Sequence, residues 1–180
     1  WRRYGLLTLT GADAGLGGSK KDLSMLFTYV SVDQYLKTSG RLAFLITQSV
    51  FKTKGAGDGF RRLRFADGAT TIYLRPLIVE DLSAVQVFDG ATNRTAVAVF
   101  EKSTKPFSYP VDVRIWCGGR RIPQDADLDH VEKTAVIIDA VAEPVILGQS
   151  SSPWLTVPKG SLTACRKVLG KSSYRAMAGC

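Results

Sequence analysis

Residues Leu42 to Ile46 form an unbroken apolar run within LKTSGRLAFLITQSVFKTKGAG, Leu36 to Gly57, and the run gives way to Gln48 and Ser49, lysines and glycines rather than to a hairpin turn. A strand covered on both faces reads as a continuous apolar run, whereas a half-exposed strand alternates. The run predicts a strand, Arg41 to Thr47, inside a layer flanked by helices. Upstream, Ser19 followed by Asp22 gives a capping-box-like start. Leu23, Leu26, Phe27 and Val30 then fall at i, i+3, i+4 and i+7, the apolar face of a helix running to about Thr38. Gly40 ends that helix. A helix that feeds a buried strand through a tight glycine turn is the αβ half of a βαβ unit, so the fold class expected is α/β.

The rest of the chain adds strands. KTKGAGDGFRRLRF reads as a glycine-rich loop and a short basic helix around Asp58 to Phe65. TTIYLRPLIVEDL is a β-branched run in which Pro76 argues for an edge or a bulge. Ala84 to Phe88 and Thr95 to Glu101 are strand-like and flank a turn-rich loop, which predicts an antiparallel hairpin. Beyond Ser103 the pattern weakens. SYPVDVRIWCGGRR suits one strand, Asp127 caps a short helix through Glu132, AVIIDAVAEPVIL fits strand or helix, SSSPWLT reads as loop, and Ser161 to Leu169 reads as a short helix with Gly170 past its end. The expected organisation is a mixed sheet ending in a hairpin over residues 1–102, with 103–180 as an appended region.

Composition narrows the partners. Asp139 and Glu143 interrupt the valine-rich stretch near the end, and no apolar run is long enough to cross a bilayer. Three widely spaced cysteines, Cys117, Cys165 and Cys180, and one histidine, His130, give neither a disulfide framework nor a metal site, and unpaired thiols fit a reducing cytoplasm. His130 lies among acids on a surface helix and reads as solvated. Up to Phe65 there are eleven basic and four acidic residues, which accounts for seven of the formal net charge of +8. Such a regional excess is the footprint of a polyanion-binding surface, and a solvated basic face is the other reading.

In open α/β sheets ligands sit outside the carboxyl ends of the parallel strands, which is where Gln48, Ser49, Lys52 and Lys54 follow the apolar run. The order KKDLSMLFTYVSVDQYLKTSGRLAFLITQSVFKT, then IVEDLSAVQVFDGATNRTAVAVFEK, resembles the second half of the catalytic domain of class I S-adenosylmethionine-dependent DNA amino-methyltransferases, in particular the long adenine-specific enzymes of restriction-modification and phage-defence systems. EPVILGQSSSPWLT and LGKSSYRAMAGC extend the resemblance, and look like a linker towards a target-recognition domain.

The resemblance implies a partial Rossmann-like methyltransferase sheet, double-stranded DNA as partner, S-adenosylmethionine as methyl donor and adenine's exocyclic amine as acceptor. The family's Asn/Asp-Pro-Pro-aromatic loop and Phe-x-Gly-x-Gly cofactor loop do not occur here, and GADAGLGGSKK follows no apolar strand. No catalytic or cofactor-binding residue is therefore assigned, and the expectation is a fragment that is inactive alone. Enzymes acting on an exocyclic amine draw the base out of the stack. The resemblance places Phe88 where an aromatic side chain stacks on the extruded adenine, and a buried hairpin phenylalanine is the alternative. Asn93 and Arg94 in the same loop reach a base edge or a phosphate, or simply form the turn. Gln48, Lys52, Lys54, Arg61 and Arg62 complete the expected nucleic-acid contacts. Glu80 and Asp81 read as solvated acids at a strand end. The competing function is a non-catalytic nucleic-acid-binding module that uses the basic loops between Lys20 and Arg64.

Overall fold

The Asp22 carboxylate accepts a hydrogen bond from the Ser24 amide at 2.9 Å and so caps the first helix, α1 (Leu23–Tyr35). The computed structural model describes residues 1–7, 22–53, 57–85, 88, 93–117 and 125–170, so the expected capping residue Ser19 lies outside the described residues. α1 buries Met25, Thr28, Tyr29 and Val32, while Leu23 and Phe27 are exposed. Two stripes with the same spacing compete on this helix, and the one carrying Tyr29 faces the core. The Tyr29 hydroxyl donates to the Phe60 carbonyl at 2.8 Å, and its ring meets Tyr4, Phe60 and Phe65. Tyr4 and Leu6 are themselves buried, so the first residues of the chain belong to the core.

Gly40 turns the chain, because a Cβ there would lie 2.8 Å from the Lys37 carbonyl oxygen. Strand β1 (Arg41–Thr47) follows, with the bounds expected from the sequence. Covering on both faces is corrected, however. Leu42, Phe44 and Ile46 oppose Phe100, Ala98 and Ala96 of the neighbouring strand on the core side, while Ala43 and Leu45 on the other face are exposed. β1 is the terminal strand of the sheet, and α1, the short α2 (Ser49–Lys52) and a 3-10 turn, Phe60–Arg62, pack on its core face through Tyr29, Phe51, Phe60 and Phe100.

The short basic helix expected around Asp58 to Phe65 is limited to this 3-10 turn, because Arg64 to Asp67 leave it as strand β2 (Arg64–Asp67) and pair antiparallel with β3 (Thr70–Ala84). β3 is interior to the sheet, and its register shifts between Pro76 and Ile78, so Pro76 marks a bulge. β3 ends at Ala84, which places Phe88 in the connection to β4 (Thr95–Ser103) rather than in a strand. β5 (Val111–Cys117) pairs parallel with β3. The ambiguous valine-rich stretch becomes β6 (Val136–Pro144), and the end of SSSPWLT, expected as loop, enters β7 (Trp154–Pro158). Helix α3 (Leu128–Thr134) carries the expected Asp127 cap, and α4 (Leu162–Val168) lies close to the expected span.

The result is an α/β fold with one mixed, open, seven-stranded sheet in the order β1-β4-β3-β5-β6-β7, with β2 beside β3. The boundary expected at residue 102 falls inside this sheet, since β5 to β7 continue it. β1, β3, β5 and β7 run one way and β2, β4 and β6 the other. The carboxyl ends of β1, β3 and β5 therefore share one edge with the amino end of β4. Among the described residues no helix is long and apolar enough to cross a membrane.

Candidate nucleic-acid interface

Asp81 stands on β3 two residues after the buried Val79, so its side chain points into the core face at the carboxyl end of the strand. A carboxylate there must be satisfied or it will not ionise. Gln48 Nε2 donates to Asp81 Oδ2 at 2.9 Å and Lys52 Nζ at 3.1 Å, while Oδ1 accepts from the Ser83 amide at 3.0 Å and from the Ser83 hydroxyl. Burial pushes the Asp81 carboxyl up, but Ser83 and Lys52 outweigh it and hold the group below the usual carboxylate range. One buried acid thus ties the end of β1, helix α2 and the end of β3 together. The Gln48 backbone N–H donates to the Arg94 carbonyl at 3.0 Å, which brings the start of β4 to the same place.

The expected contact residues divide between rim and interior. Phe88, 48% exposed, and the exposed Asn93 and Arg94 stand in the connection beyond β3. Lys52 is half-exposed with its ammonium on Asp81. Gln48 is buried and its amide group is directed inward to Asp81. Arg61 is withdrawn from any interface, because it is fully buried and its guanidinium bonds to Val50, Thr53 and Ser151 carbonyls and to Asp58. Arg62 is exposed next to β2, and Lys54 lies outside the described residues. Asp81, expected as a solvated acid at a strand end, is buried, and its parity with Val79 is the signal that marks it so. Glu80, read the same way, accepts from both Arg114 and the Trp116 indole nitrogen, the latter at 2.7 Å. His130 is exposed, as expected.

The rim can offer cations, an amide and an aromatic face to a polyanion carrying flat bases. At the strand ends of doubly wound α/β folds, a nucleoside cofactor is held by an acidic side chain on its ribose and by a glycine-rich turn. Asp81 already has four donors, and Asp22 is occupied by Ser24 and Thr47, so the described rim residues do not fit S-adenosylmethionine. Among the described residues there is no group of acids, cysteines and histidine placed to hold a metal ion. Comparison with protein-family models and with curated proteins finds no match.

The depressed Asp81 sets a pH dependence. A carboxyl whose folded pKa lies below its unfolded value stabilises the fold above the unfolded pKa, near 3.8, and loses that contribution as pH falls through the folded value. Asp81→Asn turns an amide towards the Gln48 and Lys52 donors and is expected to cost roughly 1 to 3 kcal/mol at neutral pH. Urea denaturation at pH 7 and at pH 3 checks this, with the gap from wild type narrowing at the lower pH. An unchanged gap would assign the loss to packing rather than to charge.

Proposed function

We propose that the chain acts on double-stranded DNA as part of an adenine-specific amino-methyltransferase, presenting the connection between β3 and β4 to a base drawn out of the duplex. The observation that carries this reading is the exposure of Phe88, Asn93 and Arg94 in the sequence between β3 and β4, with the Arg94 carbonyl bonded to Gln48 at the strand ends that Asp81 binds together. Phe88 supplies the face for the extruded adenine, Arg94 and Lys52 meet phosphates, and Asn93 meets a base edge. The mixed sheet is compatible with a partial Rossmann-like methyltransferase sheet. On this reading the methyl donor and the amino-group acceptors are supplied from outside the described rim, since neither motif occurs in the sequence.

The formal charge of +8 also favours a second reading, a non-catalytic module that holds the DNA backbone. Duplexes with and without a single unpaired adenine separate the two. Base extrusion costs a few kcal/mol and least for an unpaired base, so a base-extruding chain prefers the unpaired adenine by about ten-fold or more. A backbone binder holds both duplexes equally, and its affinity falls steeply with salt. Equal affinities across a salt series would reject the methyltransferase reading.

A further inference from the structure

A cavity of about 620 Å³ opens at the opposite end of the sheet, between the α1–β1 turn, the Pro76 bulge and the segment after β4. Its size suits a small molecule, but its wall is polar where most such sites are apolar. Arg75 and Lys105 bring cations, Thr38, Ser39 and Ser108 bring hydroxyls, and Glu101 is the acid that lines it. Glu101 lies between two guanidiniums, with Arg75 Nη1 at 3.4 Å and Arg41 Nε at 4.0 Å. The frame is tied down: Ser39 donates its amide to the Lys102 carbonyl at 2.7 Å, and the Ser103 hydroxyl accepts from the Lys105 amide at 2.9 Å. Lys37 and Arg41, both exposed, add positive charge at this end of β1.

Cations together with neutral hydroxyl donors are the partners of a phosphate group, which presents several acceptor oxygens and no fixed proton. Glu101, an acceptor, suits a hydroxyl on the same ligand. We propose that this cavity binds a small phosphorylated, hydroxyl-bearing molecule of nucleotide size, with phosphate on Arg75 and Lys105 and a sugar hydroxyl on Glu101. The site lies at the other end of the strands from the rim and does not rest on the function proposed above.

Calorimetric titration of the whole chain with adenosine 5′-monophosphate, ribose 5-phosphate and adenosine tests it. Binding of at least one phosphorylated compound is expected, with adenosine at least about ten-fold weaker than its monophosphate. Arg75→Gln and Lys105→Gln, both at exposed side chains, are expected to weaken that binding about five-fold or more each, with an unchanged unfolding midpoint and unchanged duplex affinity. Binding of adenosine as tight as its monophosphate overturns the proposal, as does failure of both phosphorylated compounds to bind or indifference to both substitutions. A parallel loss of duplex affinity also overturns it, since the cavity would then be part of a nucleic-acid surface. In the unsubstituted protein, amide resonance shifts on adding the monophosphate should centre on Ser39 and Lys105; shifts centred on Arg94 would place the ligand at the rim and reject the site.

Discussion

Arg61→Ala is expected to lower the free energy of unfolding by about 3 to 5 kcal/mol, the range for removing one member of a buried ionic network. Arg61 is fully buried, and three backbone carbonyls and one carboxylate share its guanidinium: Ser151 on Nε at 2.9 Å, Val50 and Thr53 on Nη1 at 2.6 and 2.8 Å, and Asp58 on Nη2. Alanine leaves these acceptors without their donor at a position withdrawn from solvent. Burial pulls the Arg61 pKa down and Asp58 opposes it, but a guanidinium keeps its charge throughout, so the loss is not relieved by deprotonation. Arg61→Lys is expected to recover less than half, because one ammonium cannot span acceptors from α2 to the β6–β7 connection. Gly57→Ala serves as an independent probe, since a Cβ there would lie 2.1 Å from the Val50 carbonyl oxygen and 2.4 Å from Arg61 Nη1. Urea denaturation measures all three; a loss below about 1 kcal/mol for Arg61→Ala would show that the network adds little.

The same residue shows where sequence reasoning stops. Arg61, Arg62 and Arg64 are indistinguishable as members of a basic run, yet the first is buried and the others are exposed. What separates them is the set of carbonyls that α2 and the β6–β7 connection bring together, a long-range fact with no local trace. β2 and β7 were missed for a related reason. Four and five residues carry little intrinsic signal, and they become strands because β3 and β6 offer them an edge to pair with. β1, α3 and the Pro76 bulge were readable because their determinants are local: an apolar run after a glycine turn, an aspartate cap and a missing amide hydrogen. The covering of β1 was misread, since five apolar residues in a row do not reveal that Ala43 and Leu45 face outward from a terminal strand.

Charge followed the same rule at the rim. Among the described residues, the basic excess counted along the first third of the chain does not collect in one place in the fold. Arg3 lies on Asp33, Lys52 on Asp81, and Lys37 and Arg41 stand at the far end near Arg75 and Lys105. A count along the sequence averages over both ends of the strands, whereas a ligand meets only one. Arg94, together with the partly engaged Lys52, is what the described rim offers to phosphates. The DNA affinity proposed above would therefore rest, at this end, on the aromatic contact more than on net charge.

Phe88→Ala is accordingly expected to reduce affinity for a duplex with one unpaired adenine by roughly five- to 150-fold, the equivalent of the 1 to 3 kcal/mol that a base stacked on an aromatic side chain contributes. The fully paired duplex, held through its backbone, should change by less than about two-fold. At 48% exposure the ring contributes little to the core, so the variant should unfold within about 0.5 kcal/mol of wild type. Phe88→Trp, which keeps a flat face, should restore most of the lost affinity, and Phe88→Leu, which keeps apolar bulk without a π face, should not. A fluorescent adenine analogue at the unpaired position reads stacking directly, because its emission is quenched against an aromatic ring and rises when the ring is removed. Equal losses on paired and unpaired duplexes, or full affinity in Phe88→Leu, would show that Phe88 supports the connection between β3 and β4 without touching a base.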